Sequence, residues 1–484
     1  MYYIGLDIGT SSLKTTVMDQ TQKIQYENSY DYSVDEPKEG YREIDPCVWY
    51  DACIQGLRDI LGIFDEADIK AIGVTGQMHS TVFLDENGNV VRPTIMWNDL
   101  RTASMVGPLK EELTNIAETK YIARIISTGS PAINILWVKE NEPEYFQNIK
   151  KIMTPYDYIV FRLTGKYSCD YCDAATSSMF DIISKKWSLY MLNKLGIDES
   201  YVGPLHGSGD VIGSIRKDIC QTLGISHDIT VIAGTGDNPA TAVAMGILDQ
   251  SNPTISLGTS GVVILPKKDG DFEGKGKNVL FSVDGNHFVN IVQATVQSAG
   301  GTHRWWIQKI VQTKDYQIDQ EFIKENNLGN NPIMMFPHIM GDKNIYADPY
   351  IRGAFIGLSM NTSRKDMTQA VFEGISFALR DVLDNMQLRQ WPKQICVNGG
   401  AAKHNPIWMK ILANILNTHI KVVTMEATPG YGICLLAQKT LSRNQNQPKV
   451  DKGIIYIPNK EIVNRYERQY QKYKKLYHLL KQVE

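Results

Sequence analysis

The 484-residue sequence is short of cysteine, of net charge and of long apolar runs. Its seven cysteines form an odd and sparse set, which argues against a disulfide framework and predicts a reducing, cytoplasmic compartment. The formal net charge of −3 predicts neither nucleic acid nor an acidic membrane as a partner. No run of about 18 apolar residues exists, so we expect no membrane span. The opening MYYIGLDIG enters a predicted strand at once, and we expect no signal peptide.

Two common nucleotide-binding motifs are also missing. The sequence contains neither a P-loop nor a complete Rossmann glycine fingerprint. One C-x-x-C pair, Cys169 and Cys172, lacks the second pair or histidine cluster that a zinc site needs, so we expect ordinary thiols. Because the P-loop and the Rossmann fingerprint are both missing, any nucleotide is expected to bind between two domains rather than on a single P-loop.

Strands and helices alternate along the chain, which is typical of an α/β fold. Apolar spacing predicts a helix over 45–61, and Ser363 with Asp366 forms a capping-box pattern before another helix. A last helix over 461–482 is expected to pack one apolar face on the body. Further predicted elements are strands at 2–9, 13–19, 23–29, 69–76 and 394–398, turns at 85–89 and 399–405, and a helix at 406–416.

An internal repeat links the two halves of the sequence. IGLDIGTSSLKTTVMD at 4–19 and ISLGTSGVVILPKKD at 255–269 both read as an apolar strand, a Gly-Thr-Ser turn and a second apolar strand. Coincidence stays open as an explanation, because these three residue types are common in turns. The repeat predicts a duplicated α/β unit, and we expect one domain over 1–245 and a second over 246–484.

Four glycine turns follow predicted strands and are candidates for binding phosphate. Glycine lets the backbone approach a ligand, and backbone N–H groups with Thr or Ser hydroxyls can donate to phosphate oxygens. Each turn alone is better explained as structure, whereas four in a duplicated chain favour a nucleotide site. The turns are Gly9-Thr10-Ser11, Gly234-Thr235-Gly236, Gly258-Thr259-Ser260 and Gly399-Gly400-Ala401.

Two aspartates stand beside these turns. Asp237 follows a glycine turn and opens a small-residue helical pattern, so it is either a helix cap or a catalytic base at a phosphate site. Asp7 comes just before the first turn, where a carboxylate and a phosphate repel each other unless a cation bridges them. This position predicts Mg²⁺, with an aspartate that bonds its own turn as the alternative.

The segment 73–101 contains large and polar residues at predicted strand ends. Sugar sites combine hydrogen-bonding groups with an apolar surface, which is the mixture found here. A purely structural role for the histidine in this segment stays open. The residues concerned are Gln77, His79, Trp97, Asn98, Asp99 and Arg101.

These motifs together resemble the FGGY carbohydrate kinases of the actin/Hsp70/hexokinase-like superfamily, nearly from end to end. The resemblance implies two RNase H-like domains around an interdomain cleft, with sugar held mainly by the first and ATP mainly by the second. The motifs that carry it are GQMH at 76–79, RPTIMWNDLR at 92–101, AGTGDN at 233–238, SLGTSG at 256–261 and VNGGAAKHNPIWMKILANIL at 397–416.

The resemblance implies a role for each matching residue. Asp237 is the implied catalytic base, and Asp7 with Asp237 would hold Mg²⁺. Sugar-binding residues are implied at Met78, His79, Trp97, Asp99, Asp237 and Asn238. ATP-binding residues are implied at Thr10, Ser11, Ser12, Gly258, Thr259, Gly300, Gly399, Gly400, Ala401 and Asn405.

Among sugars, the resemblance favours D-xylulose, converted by ATP to D-xylulose 5-phosphate. After FPHIMG at 336–341 the chain has Asp342-Lys343-Asn344-Ile345, where relatives usually carry an E-R-T/A-P run. Ribulose and gluconate therefore stay open as substrates. An actin-like ATPase without sugar transfer, or an inactive sugar sensor, also stays open, as does a homodimer.

Overall fold

Each half of the chain builds a seven-stranded mixed sheet. The computed structural model describes residues 1–246, 253–342, 345–346, 348, 350–388, 390–423, 427–442 and 453–482. Lys343 and Asn344 of the atypical stretch after FPHIMG lie outside the described residues, as do residues 247–252 next to the expected domain boundary. Within the described ranges, no helix is both long and apolar enough to cross a membrane.

The first half contains a central sheet with strand order β13-β14-β5-β1-β2-β3 and with β15 paired to β5. Its strands are β1 Tyr2–Ile8, β2 Ser12–Asp19, β3 Ile24–Asp31, β4 Glu43–Ile44, β5 Ile69–Gly76, β6 Thr81–Leu84, β7 Val90–Ile95, β8 Lys151–Met153, β9 Cys169–Asp170, β10 Phe180–Asp181, β11 Lys186–Trp187, β12 Leu205–His206, β13 Val211–Ser214, β14 Thr230–Ile232 and β15 Thr235–Gly236. Its helices are α1 Pro46–Leu61, α2 Ala103–Thr114, α3 Lys120–Ile125, α4 Pro131–Asn141, α5 Pro143–Asn148, α6 Pro155–Thr164, α7 Tyr171–Thr176, α8 Leu189–Leu195, α9 Lys217–Leu223 and α10 Asp237–Ala244.

The second half has a central sheet in the order β18-β19-β17-β16-β22-β23-β24. Its strands are β16 Thr254–Leu257, β17 Gly261–Lys268, β18 Lys277–Ser282, β19 Phe288–Val296, β20 Met334–Phe336, β21 Ala354–Ile356, β22 Gln394–Asn398, β23 His419–Val422 and β24 Ile454–Tyr456. Its helices are α11 Gly300–Trp305, α12 Arg364–Asn385, α13 Gly400–His404, α14 Pro406–Leu416, α15 Pro429–Leu441, α16 Lys460–Tyr473 and α17 Leu476–Leu480.

The two sheets repeat one arrangement around their hairpins. Strands β1 and β2 pair antiparallel across the Gly-Thr-Ser turn, and β5 runs parallel on the other side of β1. In the second half β16 and β17 pair antiparallel across the matching turn, and β22 runs parallel to β16. The two stretches of the internal repeat thus form hairpins with the same strand pairing, as a duplicated α/β unit predicts.

Helix α15 joins the two halves, because it belongs to the second half by sequence but packs on β1, β2, β5 and α10 of the first. Glycines make this contact close. A Cβ on Gly5 would lie 2.2 Å from the carbonyl oxygen of Gly430, and one on Gly432 would lie 1.8 Å from that of Ala240. Any side chain at these positions would push the helix off the sheet.

Most predicted elements are confirmed, and two differ. The turn predicted at 399–405 contains the short helix α13, which starts after Gly399 at φ +104°. The predicted terminal helix is broken at Lys474 into α16 and α17. Its tyrosines nevertheless pack on the hydrophobic core of the second half, as expected. The Ser363 capping box at the start of α12 is present.

Candidate active site between the two hairpins

Two aspartates meet where three neighbouring strands of the first sheet end. Strands β1 and β15 both run parallel to β5, with Ile8 and Gly236 paired to Gly76. Asp7 lies one residue before the end of β1, and Asp237 directly follows β15. Burial raises the pKa of Asp7 to about 6, and burial with the nearby charge of Asp7 raises that of Asp237 to about 7. Two such carboxyl groups are suited to share a proton or a cation.

Asp237 is the first residue of helix α10, and Gly236 takes the N-cap position. The interpretation of Asp237 as the cap residue is therefore wrong, although its Oδ1 still accepts a hydrogen bond from the Asn238 backbone N–H at 2.7 Å. Glycine at the cap leaves the aspartate carboxylate free to serve another role. Asp237 and Asn238 are both half-buried, so their side chains keep some access to solvent.

The glycines before Asp237 allow close packing of the chain around this loop. Gly234 has φ +82°, and a Cβ there would lie 1.9 Å from the carbonyl oxygen of Val74. A Cβ on Gly236 would lie 2.5 Å from Cγ of Met78. Met78 is accordingly buried beneath the Asp237 loop, and its side chain helps to fix that loop in place.

A buried carboxylate anchors the same loop from the other side. Asp170, at the N-cap of α7, accepts hydrogen bonds from Thr235 Oγ1 at 2.8 Å and from the Tyr156 hydroxyl at 2.5 Å. Asp173 follows within α7, and among the described residues neither of its carboxylate oxygens has a hydrogen-bond partner. Burial, followed by the charge of Asp170, raises the pKa of Asp173 to about 8. The sequence reasoning missed both residues, because their neighbours are distant along the chain.

The first hairpin turn touches two residues of the candidate sugar segment. The side chain of Gln77 donates to the Gly9 carbonyl oxygen at 3.0 Å. The indole N–H of Trp97 donates to Thr10 Oγ1 at 3.1 Å, and Trp97 remains 44% exposed. Ser11 is exposed and Ser12 half-buried beside it. The candidate phosphate turn and the candidate sugar residues therefore adjoin.

Asp99 is fully engaged within the protein. Its carboxylate accepts from the Arg42 backbone N–H at 2.6 Å and makes a two-pronged pair with the Arg101 guanidinium at 2.9 and 2.8 Å. To bind a sugar, Asp99 would have to exchange one of these bonds. Its evident contribution is to shape the loop that carries Trp97 and Asn98.

His79 meets a lysine that the sequence did not indicate. Nζ of Lys277, the first residue of β18 in the second sheet, lies 2.6 Å from Nε2 of His79. Burial, with the charge of Lys277 in addition, holds the pKa of His79 well below its usual value. His79 is therefore neutral, and it connects the two halves of the molecule beside the candidate sugar segment.

The turns expected to bind ATP come together at one edge of the second sheet. A Cβ on Gly300 would lie 2.2 Å from the carbonyl oxygen of Gly258 and 3.8 Å from Cβ of Ala401. A Cβ on Gly399 would lie 2.4 Å from the carbonyl oxygen of Leu257. Three turns that are distant in sequence thus form one cradle of backbone.

The inner face of this cradle is open. Gly258 and Thr259 are exposed, and a Cβ on Gly400 would meet no atom within 4 Å. Thr259 Oγ1 accepts from the guanidinium of Arg304 at 2.8 Å, which adds a positive charge that sequence reasoning missed. Asn405 is buried and donates to the Ala401 carbonyl oxygen at 2.7 Å, so it supports the cradle rather than facing a ligand.

Asp7 and Asp237 have a donor set that fits a magnesium ion shared with phosphate. Across the described ranges, no cluster of three or more His, Cys, Asp or Glu side chains could hold a metal alone. Magnesium is commonly held by one or two carboxylates together with phosphate oxygens and water. The pair of raised-pKa carboxyl groups would gain from such a cation, which relieves their mutual repulsion.

Comparison with known proteins agrees with this geometry. Residues 2–244 match the N-terminal domain model of the FGGY family of carbohydrate kinases, and residues 254–441 match its C-terminal domain model. The chain is 34% identical over 440 residues to a xylulose kinase of Staphylococcus xylosus, which covers 90% of each chain.

Solved structures show the same fold. A xyloylose kinase from Brucella ovis superposes with a TM-score of 0.89 at 28% identity and covers 100% of both chains. A gluconate kinase from Lactobacillus acidophilus gives a TM-score of 0.88 at 24% identity and covers 99% of this chain and 98% of its own. The second likeness bears on the fold alone.

Proposed function

Because the chain belongs to the FGGY family of carbohydrate kinases, we propose that it transfers the γ-phosphate of ATP to the terminal hydroxyl of D-xylulose. It is a carbohydrate kinase, and phosphoryl transfer of this kind is largely a matter of positioning and charge stabilisation. The observation that carries the proposal is the pair Asp7 and Asp237 beside the Thr10–Trp97 contact. This pair sits where a phosphate turn and a sugar segment adjoin.

Asp237 acts as the general base in this proposal. A carboxylate that accepts the proton of the attacking hydroxyl works best when its pKa is near the working pH, and burial raises that of Asp237 to about 7. Its position at the start of a helix fixes the carboxylate relative to the strand ends. Asn238, next in the helix, is placed to bond a neighbouring sugar hydroxyl.

ATP is proposed to bind between the two hairpin turns. The backbone cradle of Gly258, Gly300 and Gly399 would take the nucleotide, and Arg304 would offset phosphate charge. Thr10, Ser11 and Ser12 would donate to the transferred phosphate from the opposite hairpin. A magnesium ion held by Asp7 and Asp237 would neutralise charge on the phosphates.

The proposed assignment of sugar to one half and ATP to the other follows the two ranges that the family models match. We keep the boundary between 245 and 246 as a proposal, with the sugar bound mainly by residues 1–245 and ATP mainly by 246–484. Support comes from the family models, which end at 244 and resume at 254. In this proposal the contact between Lys277 and His79 joins the two halves beside the sugar site.

D-xylulose is favoured over other sugars by the xylulose kinase relative at 34% identity. A coupled ADP-release assay with D-xylulose, ribulose, gluconate and glycerol tests the choice through kcat/KM, and phosphorus NMR of the product locates the phosphate. We expect D-xylulose to give the highest value and glycerol the lowest, since glycerol is too short to reach both the base and the far hydrogen-bonding groups. Another sugar that exceeds D-xylulose by about tenfold would replace it as the substrate.

A further inference from the structure

Lys277 brings a positive charge from the second sheet to the sugar segment of the first. It is the first residue of β18, and its Nζ lies 2.6 Å from Nε2 of His79. An ammonium group only donates, so Lys277 donates and Nε2 accepts. One of its three hydrogens is used in this way, and Lys277 makes no other side-chain hydrogen bond within the described residues. The lysine is half-buried, so the remaining hydrogens can meet a ligand.

His79 is held in an unusual conformation to make this contact. Its φ of +74° lies in the left-handed region, which costs free energy for a residue with a Cβ. Because Nε2 accepts from Lys277, the proton of the neutral ring resides on Nδ1. Nδ1 is buried and has no hydrogen-bond partner in the part of the chain that the structure describes. The strained backbone and the fixed tautomer indicate that the His79–Lys277 pair is a built feature of the site.

Lys277 lies near the loop of the base, because its partner His79 directly follows Met78, whose side chain packs against Gly236. Helix α7 packs on β18, so Asp173 of α7 lies close to Lys277. The charge of Asp237 acts on Asp173, and that of Asp173 acts on Lys277. Asp173 is thus a neighbour of both Asp237 and Lys277, so the base and the ammonium group surround the same site.

We propose that Lys277 is a substrate-binding residue that holds the carbonyl end of the ketose from across the cleft. This inference rests on the proposed function, in which the terminal hydroxyl far from the carbonyl meets Asp237. The carbonyl oxygen and the hydroxyl beside it then lie next to the ammonium group, which donates to both. A hydrogen bond from a charged donor is stronger than a neutral one, so this contact selects for the keto end of the sugar.

Lys277→Met tests the contact, because methionine keeps most of the apolar stem and removes the charge. We expect KM for D-xylulose to rise about tenfold or more, with kcat and KM for ATP little changed. Lys275→Met is the matched control, since Nζ of Lys275 donates to the Ile345 carbonyl oxygen at 2.6 Å instead. A wild-type KM for D-xylulose in Lys277→Met overturns the inference.

A pair of substrates separates binding from a structural role. 1-Deoxy-D-xylulose lacks the hydroxyl beside the carbonyl, and we expect the wild-type enzyme to lose about tenfold in kcat/KM with it. Lys277→Met should lose far less, because its partner for that hydroxyl is already gone. An equal loss in both proteins shows that Lys277 only supports the fold, and it contradicts the inference.

The wild-type protein offers a second measurement that needs no variant. Burial lowers the pKa of Lys277 to about 8, so an amine-reactive label applied near that pH should modify it. We expect D-xylulose to protect Lys277 and not Lys275, as read by peptide mass spectrometry. If none of the sugars that the enzyme phosphorylates reduces the labelling of Lys277, the inference is contradicted. A preference for another sugar refutes the proposed function alone, because the same comparisons with that sugar still decide the role of Lys277.

Discussion

Replacing Asp237 by asparagine should abolish catalysis and at the same time stabilise the free protein at high pH. Asparagine has the same shape and keeps an oxygen that can accept from the Asn238 backbone N–H. In the wild-type protein this hydrogen bond to Asp237 Oδ1 is 2.7 Å long. The start of helix α10 is therefore expected to stay intact. The variant loses only the ability to take a proton and to carry a negative charge.

The loss of activity follows from the role of the carboxylate as base. Removing a general base typically lowers kcat by about 10²- to 10⁴-fold. ADP release with D-xylulose measures this loss, and equilibrium binding of ATP should change little because the cradle of glycine turns lies in the other half. Asp59→Asn is the control, since that carboxylate of α1 accepts a hydrogen bond from the hydroxyl of Tyr30 in β3 and its loss should leave kcat unchanged.

The gain in stability follows from the pKa of the same group. The pKa of Asp237 is raised from 3.8 to about 7, chiefly by burial and then by Asp7. A carboxyl group with a raised pKa in the folded state favours folding below its unfolded pKa, and this contribution is lost as the pH rises through about 7. The shift corresponds to about 4 kcal/mol at full burial, and solvent at the half-buried side chain reduces it to about 1–2 kcal/mol.

Urea unfolding at several pH values, without nucleotide or metal, measures this difference. We expect Asp237→Asn and wild type to be similar near pH 4 and the variant to be more stable above pH 7 by about 1–2 kcal/mol. A variant that keeps more than about a tenth of the wild-type kcat refutes the role as base. If wild type and Asp237→Asn have equal free energies of unfolding at pH 9, burial of the charged Asp237 carboxylate does not destabilise the folded protein, and the reasoning is refuted.

Two further predictions concern the metal and the nucleotide. Asp7→Asn should raise the Mg²⁺ concentration for half-maximal turnover by about tenfold while sugar binding without nucleotide survives, and an unchanged Mg²⁺ titration would assign Asp7 to its turn. Gly300→Ala places a Cβ 2.2 Å from the Gly258 carbonyl oxygen, so KM for ATP should rise about tenfold with KM for D-xylulose unchanged. Gly107→Ala, whose Cβ meets no atom within 4 Å, is the control, and equal ATP kinetics in both variants would exclude the cradle as the ATP site.

Local patterns in the sequence predicted what depends on neighbouring residues. The two hairpins, the capping box of α12 and strand β22 all follow from turn chemistry and apolar spacing within about ten residues. The positions of Asp7 and Asp237 at strand ends follow for the same reason. Strands β1 and β15 both run parallel to β5, and this pairing brings the two aspartates to the same edge of the sheet.

The rest depends on contacts between distant segments. Lys277 was missed because its partner His79 is 198 residues away and belongs to the other half. Asp170 was missed because Thr235, which donates a hydrogen bond to it, lies 65 residues further along the chain. Asp99 was expected to meet sugar, and only the folded chain brings the Arg42 backbone N–H to its carboxylate from 57 residues away. The close packing of Gly234 on Val74 and of Gly236 on Met78 likewise joins segments that are distant in the sequence.

Helix α15 also imposes an order on how the chain is made. Tyr431, Ile433 and Leu436 of this helix share one apolar cluster with Tyr3 and Ile232 of the first sheet. The first half leaves the ribosome with that face of its sheet uncovered. The ending of α10 at Ala244 and the start of α15 at Pro429 are separated by about 185 residues, and translation at about 5–20 residues per second takes roughly 10–40 s to supply them. During that interval the nascent first half presents an apolar surface, which a chaperone or the unfinished second half must cover.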